Sequence, residues 1–319
     1  MIKLDKIRGM FAGVFLGDTL GAPHEFKCNA KIIYTGKLEY RPFHTSRFQG
    51  KKELEIGQVT DDSEMTLALL RCILKDQTYI EDNVILAYLN WANSGVWTMG
   101  KNTRALFKGV ITVKGYRNRI QKLTTISQSN GTLMRCTSLA LLFNNDFVIA
   151  DVNLSNPDSV VRDSELVYVT ALRLAIQGYP NIFSYVKNLS QTPEVKEVIK
   201  QVENKQHRDI VTNKGWCLHA LYCALWVIEN FTSFTKAMDW IMSFKGSDTD
   251  TNGAIAGALL AASFGFYQIM SEEITKNNFE IILNCKVDLG PTIRQKEYGI
   301  SDFYDFTLSA YKLSLKEYK

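Results

Sequence analysis

From Lys6 to Gly21 the chain sets Met10, Phe11, Val14, Phe15, Leu16 and Leu20 among glycines that return every four residues, at Gly9, Gly13, Gly17 and Gly21. The apolar spacing predicts a helix. An interior glycine costs a helix about 1 kcal/mol, so four on one stripe point to a second helix approaching through small residues. Asp18 is the residue such packing does not explain, because an acid in an apolar helix needs a partner. Pro23 ends the helix and leaves Glu25 just beyond it.

Helical periodicity recurs over Thr60 to Lys75, Glu81 to Ala92, Asn102 to Val113 (with Gly115 as its stop) and Leu133 to Phe143. It recurs again over Val160 to Ile176, Trp216 to Phe231, Phe234 to Phe244 and Gly253 to Phe266. Asn156-Pro157-Asp158 precedes Val160 as a cap, and Gly178 and Pro180 give the expected stop. Residues Asn181 to Arg208 read as one or two amphipathic helices, and Met270 to Lys319 as mixed helix and loop with a turn at Gly290-Pro291. Cys28 to Gln58 reads as a long functional loop, with short extended pieces at Ile32 to Tyr34 and Lys37 to Phe43. About ten helices, little strand and no internal repeat predict an all-α fold, with residues 1–319 as a single compact multi-helix domain.

Composition narrows the partners. The 319 residues are 46% hydrophobic and 22% charged, which suits a large soluble core, and the net charge of +4 is dispersed rather than gathered in a basic run. Direct nucleic-acid binding is therefore not expected. No apolar stretch is long enough for a bilayer, so no membrane role is expected either. The six cysteines show no C-x-x-C spacing, and the N-terminus lacks a signal-peptide pattern. Together these predict an intracellular, non-secreted protein, and a monomer is expected.

The densest chemistry lies at Ser247-Asp248-Thr249-Asp250-Thr251-Asn252, which opens onto the apolar run from Gly253. One Asp there is accounted for as a helix cap. Two Asp at i and i+2 repel each other unless a cation stands between them. Thr60-Asp61-Asp62 repeats the pattern at the mouth of another helix. Oxygen ligands without His or Cys favour Mg²⁺ or Mn²⁺, or Ca²⁺ in a roomy site, over zinc. The pairing of the clusters tips the reading from capping to a metal site drawn from both ends of the chain.

Other chemistries lose their support. A dinucleotide-binding G-x-G-x-x-G after a strand and a phosphate-binding P-loop are both missing. Of the four histidines, His219 reads as structural, and only His24, beside Glu25, invites a catalytic role. Arg135 sits near the start of its expected helix, where the dipole opposes a cation, and makes sense facing an anion.

Four ordered segments carry a resemblance. Gly17 to Phe26, Gly57 to Met65, Ser129 to Arg135 and Asp248 to Asn252 resemble the ADP-ribosylglycohydrolases in order and spacing over roughly residues 7 to 265. Asn93-Ser94-Gly95 and the Asn156-Pro157-Asp158 helix are similar to further family segments. The resemblance implies two Mg²⁺ or Mn²⁺ ions held by Thr60, Asp61, Asp62, Asp248, Asp250 and Thr251, with Thr249 a bystander. It implies Glu25 as a general base or gate, acting with Asp61 and Asp62 in catalysis. Ser129, Asn130, Gly131 and Arg135 fall in the loop that receives ADP-ribose. The implied substrate is an ADP-ribosylated protein or small ADP-ribose conjugate, cleaved at its N- or O-glycosidic bond. Ser63, Ser247 and Asn156 depart from the usual Thr, Gly and His, and none removes a ligand. Some relatives are non-catalytic, so a module that binds ADP-ribose or a related nucleotide without cleaving it is the alternative.

Overall fold

The computed structural model describes residues 2–28, 33–38, 55–122, 126–289 and 293–318. Fifteen α-helices occupy them: α1 Leu4–Gly21, α2 Asp61–Asp76, α3 Glu81–Asn93, α4 Lys101–Phe107, α5 Val113–Ile120, α6 Asn145–Asn153, α7 Ser159–Gln177, α8 Ile182–Val186, α9 Pro193–Glu203, α10 Cys217–Asn230, α11 Phe234–Ser243, α12 Thr249–Phe264, α13 Phe266–Met270, α14 Glu273–Leu283 and α15 Phe303–Glu317. The all-α expectation holds. Among the described residues the only strand-like pairing is an isolated antiparallel bridge between Ser129 and Trp216. Among the described residues the main hydrophobic core draws on side chains from Ile2 to Leu313.

The glycine stripe of α1 explains the centre of this arrangement. Gly13 faces Gly257 and Gly17 faces Gly253, so closely that a Cβ on either α1 glycine would lie 2.1 or 2.0 Å from the opposing carbonyl oxygen. Gly9 meets Ala261 and Gly21 meets Thr249, so the two helices run antiparallel with their backbones in contact. That geometry brings the C-terminal end of α1 to the acidic start of α12. Glu25, four residues beyond Gly21, is thereby delivered to the cluster that opens α12.

Three expectations need correction. The helix expected over Asn102 to Val113 is two helices, α4 and α5, with Gly109 at φ +73° between them and Gly115 inside α5 rather than ending it. Thr112 caps α5 by accepting from the Gly115 N–H. Leu133 to Phe143 is a run of turns followed by a 3₁₀ helix, Cys136–Leu141. Its carbonyls are drawn elsewhere: Thr66 donates to Met134 O at 2.9 Å, and Arg173 donates to Leu142 O at 2.5 Å and Leu139 O at 3.4 Å. The tail is also more helical than expected, in α13 to α15. Of the extended pieces expected at Ile32 to Tyr34 and Lys37 to Phe43, Ile33, Tyr34, Lys37 and Leu38 are described and form no strand, while the rest of them and the Gly290-Pro291 turn lie outside the described residues.

Candidate metal centre

Asp18 finds its partner at the mouth of α2. Its buried carboxylate accepts from the Thr60 N–H at 2.9 Å, the Thr60 hydroxyl at 2.6 Å and the Ser63 N–H at 3.2 Å, and also from the Ser63 hydroxyl. Thr60 itself makes no side-chain cap to α2. An acid from α1 therefore does the capping and fixes the direction in which Asp61 and Asp62 leave the helix.

Glu25, Asp61, Asp62, Ser129, Asn130, Gly131, Asp248, Asp250 and Thr251 all line one cleft of about 550 Å³. Carboxylate oxygens of Glu25, Asp248 and Asp250 lie within 4.8 Å of one another, close enough to share a cation. Thr60 is buried beside this wall without lining it, and its hydroxyl proton is committed to Asp18. Thr249 donates its hydroxyl to Gly21 O at 2.8 Å, tying the first turn of α12 to the end of α1.

Electrostatics mark the cleft as short of positive charge. Burial, then the charge of Asp18, pushes the Asp61 carboxyl up to about 7. Asp62 rises through burial and the charges of Asp18, Asp61 and Asp248, and Asp250 through burial and the charges of Glu25, Asp248 and Asp62. Such a cluster holds protons at neutral pH unless a cation replaces them. Asp62 Oδ1 is buried with no hydrogen-bond partner, as are both amide atoms of Asn252 in the first turns of α12. Unsatisfied buried oxygens in an all-oxygen donor set fit a hard divalent cation.

The loop facing the cluster is held from two sides. Asn130 donates its side-chain amide to Asp248 Oδ2 at 2.8 Å and its N–H to Gly215 O at 2.9 Å. Asn156 donates to Ser127 O at 2.8 Å and to Ser129 Oγ at 3.1 Å, so the departure from His leaves a side chain that pins the loop.

Arg135 takes a different place from the one expected of a ligand-contacting residue. It does not line the cleft. Its guanidinium is fully buried, donating to Asp151 Oδ2 at 2.9 Å, Ser155 Oγ at 2.9 Å and Gly131 O at 3.0 Å, with the Tyr88 ring centroid 4.8 Å away. The anion it was expected to face is Asp151, and it supports Gly131 from beneath.

Several cleft residues were given no role from the sequence, although Phe26 and Met134 lie within the segments that carry the resemblance. Phe26, Lys101, Asn102, Thr103, Met134, Lys214 and Gly215 line the same space. Lys214 Nζ lies 5.0 Å from the Phe26 ring centroid. Gly215 has φ +80°, and a Cβ there would stand 3.3 Å from Asp248 Oδ2. Its glycine, just ahead of the apolar run of α10, was the available signal. Glu64, next to the acidic pair, turns away and forms a buried ion pair with Arg294 at 2.6 Å, joined by the Trp91 indole N–H at 2.8 Å.

These features define an all-α protein with an acidic, oxygen-lined cleft built between the first helix turns of α2 and α12. The family model described as ADP-ribosylglycohydrolase matches residues 1–280, and the chain belongs to that family. A protein of Acanthamoeba polyphaga mimivirus that carries an ADP-ribosyl glycohydrolase name is 26% identical over 336 residues, covering 95% of this chain and 96% of that protein. The ADP-ribosyl-[dinitrogen reductase] glycohydrolase of Rhodospirillum rubrum is 23% identical, covering 87% of this chain and 92% of the relative. A solved structure titled ADP-ribosylglycohydrolase-related protein complex superimposes with a TM-score of 0.71 over 98% of each chain at 19% identity, which shows the shared fold. No described helix is long and apolar enough to cross a membrane.

Proposed function

We propose that this chain, acting as one domain over residues 1–319, hydrolyses the N- or O-glycosidic bond between ADP-ribose and a protein side chain or small acceptor. The observation that carries this reading is the convergence of Glu25, Asp248 and Asp250 oxygens within 4.8 Å, in a cleft that also holds Asp61 and Asp62. Membership of a family of ADP-ribosyl hydrolases supplies the substrate class.

Thr60, Asp61, Asp62, Asp248, Asp250 and Thr251 are the residues that would hold two Mg²⁺ or Mn²⁺ ions. When bound, the ions supply Lewis acidity and fixed positive charge to oxygens of the distal ribose and of water. Glu25 accepts a proton from the attacking water as its oxygen bonds to the anomeric carbon and the bond to the acceptor breaks. The acceptor leaves with the electron pair of the broken bond and takes up the proton that Glu25 accepted, directly or through water. The surrounding carboxylates favour the oxocarbenium-like charge that develops on the sugar. Asn130 keeps Asp248 oriented, and the Ser129 hydroxyl and the Gly131 N–H are the donors the loop would offer to the diphosphate.

A panel of arginine-linked, serine-linked, polymeric and small-molecule ADP-ribose conjugates, with Mg²⁺ or Mn²⁺ present, tests the proposal. Release of ADP-ribose from at least one conjugate is expected. Tight binding of ADP-ribose with no release from any of them would replace hydrolysis with a binding role.

A further inference from the structure

Lys214 and Gly215 of the segment 212–216 line the cleft together with Asn130 and Asp248. Asn213 and Gly215 both have positive φ, at +55° and +80°, the left-handed region that asparagine and glycine enter at little cost, so their own backbone preferences allow this turn and its tertiary contacts place it. This segment places the Gly215 carbonyl on the Asn130 N–H at 2.9 Å, pairs Trp216 with Ser129, and receives Gln128 O on the Cys217 N–H at 3.0 Å.

What holds it lies outside the cleft. The buried His219 ring meets Thr212 O through Nε2 at 2.8 Å and the Arg208 Nε–H through Nδ1 at 2.9 Å. A carbonyl only accepts and a guanidinium only donates. Nε2 therefore carries the proton and Nδ1 is bare, so one neutral tautomer bridges both ends of the turn. Arg208 is held in turn by Gln201 Oε1 of α9 at 2.8 Å and lies over the Trp216 ring, 5.3 Å from its centroid. Trp216 meets the His219 ring edge-on at 5.3 Å and donates its indole N–H to Gln128 Oε1 at 3.1 Å. Neither Arg208 nor His219 lines the cleft.

We propose that Arg208 and His219 are positioning residues for the cleft, with the imidazole bridging Arg208 and Thr212 so that Gly215 meets both Asn130 and Asp248. The role in turnover rests on the hydrolase reading above, whereas the role in holding the segment does not. Loss of the bridge frees residues 212–216, and through Asn130 it loosens the loop that receives the substrate.

The test compares the whole protein with His219→Ala, His219→Gln and Arg208→Ala in two measurements. One is hydrogen exchange at the amides of Asn130 and Cys217. The other is steady-state hydrolysis of an ADP-ribosylated peptide with Mg²⁺. The alanine variants are expected to exchange faster at those two amides while amides across the α1–α12 contact keep their protection. They are also expected to raise KM on the order of tenfold with a smaller change in kcat. His219→Gln, whose side chain accepts at one atom and donates at another, is expected to restore both. The proposal is overturned if the alanine variants leave both readouts at wild-type values. It is equally overturned if exchange rises evenly across all helices, or if glutamine serves no better than alanine. Absence of turnover in the wild type, with the exchange pattern as expected, would remove the hydrolase reading and leave the positioning role standing.

Discussion

Asp18 and Thr60 stand 42 positions apart in the chain, yet the Asp18 carboxylate accepts from both the backbone N–H and the hydroxyl of Thr60, at 2.9 and 2.6 Å. This pair joins the end of α1 to the start of α2, and the glycine contact joins the same stretch of α1 to α12. Both halves of the acidic cleft are thus referenced to one helix.

Asp18→Ala removes the acceptor for two N–H groups and two hydroxyls at a buried helix mouth. The expected loss is about 1–3 kcal/mol of stability, read by urea unfolding, together with weakened divalent-ion binding by calorimetry. Unchanged ion affinity in a folded variant would mean that α2 aims Asp61 and Asp62 without help.

Gly17→Ala places a methyl group 2.0 Å from the Gly253 carbonyl oxygen, where backbone rather than a flexible side chain must give way. Overpacking of this kind typically costs about 1–3 kcal/mol. The thermal midpoint is expected to fall and activity to fall with it, because separation of α1 from α12 carries Glu25 away from Asp248 and Asp250. Gly95, with nothing near its added Cβ but φ at +81°, is a control that shifts stability while leaving the cleft alone.

Arg135→Met leaves Asp151 as an uncompensated buried charge, which typically costs about 3–5 kcal/mol. Chemical denaturation is the check. A variant of near-normal stability would contradict the support role read from the fully buried pair.

Proton linkage follows from the raised carboxyls. Asp61, moved from 3.8 up to about 7, gives the metal-free protein a stabilising contribution that is fully present below pH 3.8 and is lost as pH rises through about 7. Divalent ions displace those protons, so ion binding is expected to release protons near neutrality and to raise the thermal midpoint more at pH 8 than at pH 6. Thermal scans with Mg²⁺ against a chelator at the two pH values measure this. An equal gain at both would mean the cluster does not bind the ion.

The parts of the site that could be read from the sequence are those written in local pattern. The four-residue glycine period foretold close packing against a second helix, though not that α12 is that helix; the twin acidic segments were expected to come together, as they do along one cleft; and the isolated charge of Asp18 foretold a buried partner. Which partner was not legible, because Thr60 and Ser63 meet Asp18 only through tertiary packing. Arg135 was correctly read as facing an anion, but nothing near it in the chain marks Asp151 as that anion, so its direction was missed. The 3₁₀ helix after it lies between carbonyls bonded from other helices, Met134 O by Thr66 of α2 and Leu142 O by Arg173 of α7. Residues 212–216 have no apolar period at all, and their place is set by backbone bonds and by Arg208 and His219.

The most direct test of the account measures ADP-ribose release with Mg²⁺ or Mn²⁺ by the wild type, by the wild type with chelator, and by Asp61→Asn and Asp248→Asn variants whose folding is verified by circular dichroism. The expected result is release by the wild type alone, lost on chelation and lowered by orders of magnitude in both variants. Near-normal release by either variant, or a full rate in chelator, would contradict a catalytic metal centre shared between the two acidic segments.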